Sequence, residues 1–361
     1  MLEKIKKFIL QMMAGANVAT IIIMLAVGFS YRLNPQEHPI TSCVGLAFPA
    51  LLLTNAAFLL LFLLFKKRLA LIPALGFIVC YIPVRIYSPL NVPHSTPDDA
   101  IKVMSYNVFN FNPTENGLRT IADYINASGA SIVCMQEAAF NDEVKQAFGK
   151  EYQYMDTTRN DKNGEVQLIV SKFPILSKTR INAGLDGCLC AAYEVLVGND
   201  RTTVINCHFE CSGLSPADRR DFRNMVKGKL GKDTIGKDSR RMIVQLGDAA
   251  RRRVPQVEGV IKYIRSRKEE PVLLFGDFND SPVSYCRSQL AKTLTDCYVA
   301  TANGPGISYH YNMFYVRIDN VMCSSHWQPF NFKVDRDIAV SDHYPLYGFV
   351  KKSRRNGKKS P

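Results

Sequence analysis

The stretch SDHYPL, residues 341–346, sets an acid beside an imidazole near the C-terminal end of the chain. If this stretch were an extended strand, the side chains of Asp342 and His343 would point to opposite faces. In a tight loop at a strand end, both side chains can reach one spot. The pair therefore predicts a functional site only if other polar side chains converge at the same place.

Polar side chains also stand at the ends of most other predicted strands. The strand candidates are apolar or alternating segments, at 101–109, 131–137, 166–175, 194–197, 202–210, 272–280, 317–324 and around 339–350. The polar residues in or at the ends of these segments are Asn107, Glu137, Asn206, His208, Asp277, Asn279, Asp319, Asp342 and His343. A single Asn or Glu in such a position is usually a turn residue or a solvated strand end. The shared placement of the whole set indicates one site.

The chemistry of this set favours a hard cation. Its members offer oxygen and nitrogen atoms but no thiolate, and the sequence contains no CxxC pair, which disfavours zinc. Outside a basic arm at 212–270, residues 91–350 carry 15 basic and 22 acidic groups. Oxygen ligands in an acidic domain predict Mg²⁺ as the cofactor, with Mn²⁺ as the alternative.

Predicted helices alternate with the strands, but hairpin-like pairs of strands also occur. The segment 114–129 has apolar residues at helical spacing. A second helix is predicted to begin at Ser215, and a third to cover much of 239–268, with a kink or a break at Pro255. This mixture predicts an α/β sandwich, with two packed sheets and outer helices.

Taken together, the motifs resemble those of the endonuclease/exonuclease/phosphatase superfamily, which has the DNase I-like fold. In chain order they are SYNV (105–108), QE (136–137), VSKFPI (170–175), NCHFE (206–210), GDFND (276–280), RIDNV (317–321) and SDHYPL (341–346). The resemblance covers about residues 100–350. It implies the same two-sheet sandwich that the order of elements predicts.

The resemblance also implies a metal site. Asn107, Glu137 and Asp342 look like the metal ligands of the family. A bound Mg²⁺ would neutralise the anionic phosphate ester and steady the departing oxygen.

The catalytic residues are implied in the same way. His208 looks like the histidine that contacts the scissile phosphate. Asp277 and Asn279 look like the pair that orients or deprotonates water and holds a phosphate oxygen. His343 looks like the catalytic histidine, with Asp319 as its partner on a neighbouring strand. A histidine held by an aspartate would be partly protonated and could stabilise the negative charge of the transition state.

The predicted function is therefore a metal-dependent hydrolase that acts on a phosphodiester or phosphomonoester. Nucleic acid, a lipid headgroup and a soluble phosphate ester all stay open as substrates. Phe109 stands where abasic-site endonucleases of the family carry an acid, which argues against that subfamily. Asp319 lies in RIDN rather than in the Cys-Asp-Arg pattern of inositol 5-phosphatases, which argues against that subfamily too. The alternative is a non-catalytic scaffold of the same fold that binds a phosphate ligand. The oligomeric state has no signal in the sequence.

The N-terminal quarter of the chain predicts a membrane anchor. Uncharged runs at 9–29 and 40–65 are long enough to cross a bilayer, and a shorter run at 69–84 contains two prolines. No convincing cleavage site follows the first run, which disfavours a signal peptide. The predicted organisation is an anchor of about three transmembrane helices (1–90), a linker (91–99), the catalytic domain (100–350) and a basic tail (351–361).

Basic residues predict the orientation of this anchor. Three lysines lie within residues 4–7, and the triplet 66–68 separates the second and third runs. Loops rich in lysine and arginine stay in the cytoplasm. The prediction is a multi-pass protein of the inner (plasma) membrane, which contacts the bilayer through residues 1–90 and carries its catalytic domain on the extracytoplasmic side.

The net charge of +13 does not by itself indicate nucleic-acid binding, because residues 1–90 and the tail contribute +6 each. The tail is either a solubilising end or a contact for anionic lipid. The arm at 212–270 carries 16 basic and 8 acidic residues, which is typical of a solvated helix face or of a surface for phosphates. The ten cysteines fix no disulfide pairing.

Overall fold

A computed structural model of the chain describes residues 1–112, 116–182, 187–226, 232–311 and 313–353. Its helices are α1 (Leu2–Gly28), α2 (Pro39–Ser42), α3 (Phe48–Phe65), α4 (Leu71–Val79), α5 (Tyr81–Tyr87), α6 (Gly117–Ala127), α7 (Asp142–Phe148), α8 (Pro216–Val226), α9 (Lys232–Ser266), α10 (Tyr285–Leu290) and α11 (Cys297–Thr301). Its strands are β1 (Ile101–Asn107), β2 (Ile132–Ala138), β3 (Tyr154–Arg159), β4 (Val166–Ser171), β5 (Ile175–Arg180), β6 (Leu189–Val197), β7 (Asp200–His208), β8 (Val272–Asp277), β9 (Thr295–Asp296), β10 (Asp319–Cys323), β11 (Trp327–Val334) and β12 (Leu346–Lys352).

The strands form two sheets that pack face to face. One sheet has the strand order β11-β12-β1-β2-β4-β3, and the other has the order β5-β6-β7-β8-β10-β9. Each contains one parallel pair, β1 with β2 and β7 with β8, while the other neighbours run antiparallel. Val103, Tyr193, Phe275 and Val321 belong to the buried apolar layer between the sheets. The predicted α/β sandwich is confirmed.

Helices cover the outer faces of both sheets. Ile121 of α6 and Phe148 of α7 belong to the apolar cluster on the first sheet. Val257 and Val260 of α9 belong to the cluster on the second sheet. The C-terminal half of α9 therefore packs on the sandwich through its apolar face.

Of the kink or break predicted at Pro255, the break is absent, because α9 continues from Lys232 to Ser266. Pro255 lacks the N–H that would bond to the carbonyl of Arg251, four residues earlier. The side chain of Gln36 supplies another donor, with its Nε2 atom 3.0 Å from the Arg251 carbonyl oxygen. The buried neighbours Val254 and Val257 hold this part of the helix on the sheet. A contact from a distant segment thus satisfies the carbonyl that the proline leaves free.

The strand predictions differ from the structure in two ways. The segment 166–175, predicted as one strand, is divided into β4 and β5, which lie in different sheets. The chain crosses between the sheets at residues 172–174, where Pro174 cannot donate a ladder hydrogen bond. The strands β3, β9 and β11, all at sheet edges, were not predicted. β3 lacks alternation, β9 has only two residues, and Pro329 interrupts the pattern of β11.

The N-terminal helices form an apolar bundle of their own. Among the described residues, Glu3–Arg32 and Pro39–Phe65 are long and apolar enough to cross a membrane. A third such segment exists if Lys67–Val79 and Tyr81–Tyr87, which are bent by 71°, are counted as one. A buried hydrogen bond of 3.0 Å between the side-chain amides of Asn17 and Asn55 joins α1 to α3. Polar contacts of this kind hold helices together in lipid.

Several contacts dock this bundle on the sandwich, and two of them are close. Gly247 of α9 lies so near the start of α2 that a Cβ atom there would be 3.0 Å from the carbonyl of Pro39. The buried guanidinium of Arg317 donates to the carbonyl oxygens of Ile86, at 2.6 Å, and of Tyr87, at 3.2 Å. Arg317 precedes β10, so one short segment joins the end of α5 to the second sheet.

The predicted basic tail begins later than expected. β12 continues to Lys352, and the Nζ atom of Lys351 lies 2.7 Å from Oδ1 of Asp99. The rest of the predicted tail, residues 354–361, lies outside the described residues. All ten cysteines carry free thiols.

Candidate active site

The polar strand ends meet at one edge of the sandwich. In the second sheet, the strand register sets His208 opposite Asp277, and Asp277 opposite Asp319. In the first sheet, β1 ends at Asn107. The Nδ2 atom of Asn107 donates to Oδ2 of Asp277 at 3.2 Å, which bridges the two sheets. Strand pairing therefore explains why residues far apart in the sequence share one site.

His343 and Asp319 form a buried pair. The Nδ1 atom of His343 lies 2.8 Å from Oδ2 of Asp319, and the Nε2 atom lies 3.6 Å from Oδ2 of Asp277. Burial lowers the pKa of His343, but Asp319 and Asp277 outweigh burial and raise this pKa to about 10. The hydroxyl of Ser341 accepts a 3.1 Å hydrogen bond from the backbone N–H of His343, which fixes the loop. The pair presents an imidazolium to the site.

His208 is held in the same manner by a residue that the sequence did not point to. Its Nδ1 atom lies 2.7 Å from Oε1 of Glu165, in the turn before β4. Its Nε2 atom lies 3.7 Å from Oε1 of Glu137 and 3.6 Å from Oδ2 of Asp277. Burial lowers the pKa of His208, but Glu165 and the other two carboxylates raise it well above its usual value. Two cationic imidazoles thus flank Asp277.

Glu137 projects into the site from an irregular point of β2. Its backbone φ of +47° lies in the left-handed region, which is strained for a residue with a side chain. The register between β2 and β4 shifts at this point, between Met135 and Ala138. Asn107 donates to Oε1 of Glu137 at 3.1 Å. The bulge turns the carboxylate towards the cavity rather than along the strand.

The GDFND segment shapes the base of the site. A Cβ atom on Gly276 would lie 2.1 Å from the carbonyl oxygen of Cys207, so only glycine allows β7 and β8 to approach here. The backbone N–H of Asn279 donates to Oδ1 of Asp277 at 2.8 Å. The Nδ2 atom of Asn279 donates to the carbonyl oxygen of Phe209 at 3.0 Å. This bond fixes Asn279 at the end of β7.

Asp342 lies on the same cavity as its neighbour His343. Burial raises the pKa of Asp342, and the carboxylates of Glu137 and Asp277 raise it further, although His343 opposes them. The backbone carbonyl of Asp342 accepts a hydrogen bond from the N–H of His310 at 3.1 Å. The loop therefore does bring both side chains of the SDHYPL stretch to one place.

The donor set suits a divalent cation. Among the described residues, Asp277, Asp319 and His343 form a group of potential ligands with one atom of each within 4.8 Å of the others. Because Nδ1 of His343 is already hydrogen-bonded to Oδ2 of Asp319, this group is better suited to proton transfer than to a metal. Burial first, and then repulsion from the carboxylate of Glu137, raise the pKa of Asp342 instead. A hard cation between them would relieve that repulsion.

The cavity has a volume of about 130 Å³, and Arg219 and Tyr309 are among the other polar side chains that line it. The guanidinium of Arg219 on α8 donates to the hydroxyl of Tyr309. The Tyr309 ring packs edge-on against His343, with 5.0 Å between ring centroids. Arg219 and Arg253 of the basic arm both line the cavity. Because Arg253 is paired with Asp280 at 3.5 Å and donates to the Glu210 carbonyl, Arg219 is better suited to contact a phosphate. Asn206 stays out of the cavity, because its side chain bonds to Gln136 and to the Met135 carbonyl inside the sandwich.

Comparison with family models gives two matches. The model described as "Endonuclease/Exonuclease/phosphatase family" matches residues 104–343, which contain the whole polar cluster. A second model, described as a domain of unknown function (DUF8431), matches residues 7–87, the helical bundle. No curated protein matches the chain.

Solved structures share the fold of the sandwich. A conserved protein of unknown function from Enterococcus faecalis V583 is 15% identical, with a TM-score of 0.51 over 70% of this chain and 100% of that one. An endonuclease/exonuclease/phosphatase from Bacteroides vulgatus is also 15% identical, with a TM-score of 0.51 over 70% and 99% of the two chains. A family protein from Bacteroides thetaiotaomicron is 16% identical, with a TM-score of 0.50 over 70% and 97%. At these identities, the likeness shows the fold alone.

Proposed function

Because the chain belongs to the endonuclease/exonuclease/phosphatase family, we propose that it is a membrane-anchored, Mg²⁺-dependent hydrolase of phosphate esters. The observation that carries the proposal is the position of Asp277. One oxygen of its carboxylate lies 3.6 Å from Nε2 of both His208 and His343. A proton acceptor between two cationic donors matches the needs of water attack on an anionic ester.

The roles follow from these contacts. Asp277 accepts the proton of the attacking water. His343, held by Asp319, donates a hydrogen bond to an equatorial phosphate oxygen and stabilises the charge that builds on it. His208 does the same from the other side, with Glu165 holding its ring. Asn279 positions the loop beside Asp277. Removing any one of these groups leaves the others in place, so partial activity should survive most single substitutions.

Glu137, Asp342 and Asn107 are the residues proposed to hold the metal. Bound there, Mg²⁺ would neutralise the ester and stabilise the leaving oxygen, and Mn²⁺ would serve as the alternative. The support is the repulsion between the carboxylates of Glu137 and Asp342 and the hydrogen bond that holds the Asn107 amide beside Glu137. Carboxylate oxygens are the ligands that Mg²⁺ prefers.

The proposed location is the extracytoplasmic face of the inner (plasma) membrane. The sandwich contacts the loop between the first two long helices, through Gln36 and Pro39. If only two helices crossed the bilayer, that loop and the sandwich would lie on opposite sides of it. The contact therefore supports a third crossing by the bent segment Lys67–Tyr87. The basic triplet at 66–68 then lies with the N terminus on the cytoplasmic side.

A substrate panel tests the proposal. The full-length protein, purified in detergent, should be supplied with plasmid DNA, RNA, phospholipids and bis-p-nitrophenyl phosphate, with Mg²⁺ or with EDTA. We expect hydrolysis of at least one ester with Mg²⁺ and loss of that hydrolysis in EDTA. Binding of an ester without turnover would favour the alternative, a non-catalytic scaffold. Hydrolysis that is equally fast in EDTA would contradict the metal dependence.

A further inference from the structure

An apolar groove lies beside the catalytic cavity, between the helical bundle and the sandwich. Its volume is about 620 Å³. One wall is the segment around Ile40 and Leu46, at the start of the second long helix. The opposite wall is α9, through Ile243 and Leu246, and Phe314 closes one side. No lysine or arginine occurs among the described residues that line it, so the groove does not suit a nucleic-acid backbone.

The groove and the catalytic cavity are continuous. Leu46, Leu246 and Phe314 line both of them. The polar end of the combined cleft carries Asp277 and His343, and the other end is apolar. A ligand that fills it must therefore have an anionic end and a hydrocarbon end.

The apolar end opens where the bundle would meet a bilayer. Ile40, on the groove wall, is half exposed and belongs to the segment Pro39–Phe65, which could cross a membrane. Exposed apolar residues continue along the helices, as at Leu53, Leu60 and Leu64. An exposed apolar surface of this extent is typical of contact with lipid. The groove thus connects the catalytic cavity with the exposed apolar surface of these helices.

We propose that the substrate is a membrane lipid whose headgroup carries a phosphate ester, and that its hydrocarbon chain lies in this groove during hydrolysis. This inference rests on the proposed function and names the substrate class of the same site. The lipid enters sideways from the bilayer, past Ile40 and Ile243. Its phosphate reaches Asp277 and His343 while its chain remains in an apolar environment.

The reaction is a simple hydrolysis. The oxygen of water bonds to phosphorus as the bond between phosphorus and the ester oxygen breaks. One proton of the water goes to Asp277, and solvent passes a proton on to the departing oxygen, which becomes an alcohol and leaves Asp277 free to lose its own proton to solvent. The products are an alcohol and a phosphate with one ester bond fewer.

Neighbouring residues on α9 provide a matched pair of variants. Ile243 lines the groove and is 44% exposed, whereas Val244 does not line it and is 42% exposed. Ile243→Glu places a charge in the groove, and Val244→Glu places the same charge on the surface nearby. The readout is the ratio of kcat/KM for a lipid ester to kcat/KM for bis-p-nitrophenyl phosphate. The lipid esters are dibutyryl and dioctanoyl phosphatidic acid, used as monomers with the full-length protein and Mg²⁺.

We expect the dioctanoyl ester to be preferred over the dibutyryl ester, because each buried methylene improves binding about fourfold. Ile243→Glu should lower the lipid-to-soluble ratio at least about tenfold, and Val244→Glu should leave it as in wild type. Photo-crosslinking of a diazirine-labelled phosphatidic acid in EDTA should label residues of the groove in wild type and less in Ile243→Glu.

The outcomes separate the two proposals. If soluble esters or nucleic acid are hydrolysed but chain length and Ile243→Glu have no effect, the groove does not bind the substrate and this inference is wrong. If no ester is hydrolysed at all, the proposed function fails, and this inference fails with it. Crosslinking confined to the transmembrane helices, with none in the groove, would also overturn the inference.

Discussion

The Nδ1 atom of His343 and Oδ2 of Asp319 lie 2.8 Å apart, and both side chains are buried. Asp319 is the first residue of β10 in the second sheet, whereas His343 lies in the loop that leads into β12 of the first sheet. A residue of one sheet therefore orients a side chain at the entrance to the other sheet. The ring orientation of His343 depends on this carboxylate, and its positive charge depends on Asp319 together with Asp277.

His343 and Asp319 should therefore act as one unit in catalysis. His343→Ala should lower kcat by about three orders of magnitude, because it removes both a donor and a charge. Asp319→Asn should cost less, since the imidazole remains. The double variant should be little worse than His343→Ala, because residues that act together are strongly non-additive. Steady-state kinetics on wild type, the two single variants and the double variant give the comparison. If the loss of kcat in the double variant equals the product of the two single losses, the pair is refuted.

Glu137→Gln tests the metal site without the need for a substrate. The change removes one charge from the proposed ligand set, so Mg²⁺ and Mn²⁺ should bind at least about tenfold more weakly. Isothermal titration of the metal-free protein measures this directly. Glu143→Gln, an exposed residue on α7, is the matched control and should bind metal like wild type. Equal affinities in all three proteins would place the metal elsewhere.

Glu165→Gln tests the support of His208. Glutamine can still hydrogen-bond to the ring but no longer contributes to the raised pKa of His208. His208 should lose its proton at a lower pH, so the alkaline limb of the pH–kcat profile should move to lower pH. Activity at neutral pH should fall on the order of tenfold. The exposed Glu151→Gln is the control. An unchanged profile in Glu165→Gln would mean that Glu165 has only a structural role.

Strand-end residues could be identified from the sequence because their positions follow from local pattern. Asn107, Asp277 and Asp319 each stand where an apolar strand begins or ends, and strand pairing then brings them together. Glu165 could not be identified, because it lies in a polar turn that looks like any other loop. Its contact with His208 exists only once β4 and β7 belong to facing sheets.

Contacts between the bundle and the sandwich were equally invisible in the sequence. The proline in α9 predicts a kink or a break. The donor that compensates for it is Gln36, which lies 215 positions before Arg251, whose carbonyl it bonds. The apolar groove has the same origin, since Leu46 and Leu246 face each other only in the folded chain. Periodicity reports the local element, whereas such pairs depend on the tertiary arrangement.

The orientation of the chain in the membrane is open to direct measurement. Alkaline phosphatase joined to the C-terminal end of the full chain should be active, and green fluorescent protein at the same place should be dark. Fusions made after Arg68 should give the opposite pattern, because the basic triplet is expected in the cytoplasm. The same result at both positions would mean that the bent segment after Arg68 does not cross the bilayer.

Hydrolysis by Asp277→Asn tests the central claim most directly. Asparagine keeps the size of the side chain but cannot accept a proton from water. With Mg²⁺ and the best ester of the substrate panel, we predict that kcat falls by at least about a hundredfold. The control Asp123→Asn, an exposed position on α6, should match wild type. If Asp277→Asn hydrolyses the ester as fast as wild type does, the strand-end cluster is not the catalytic site.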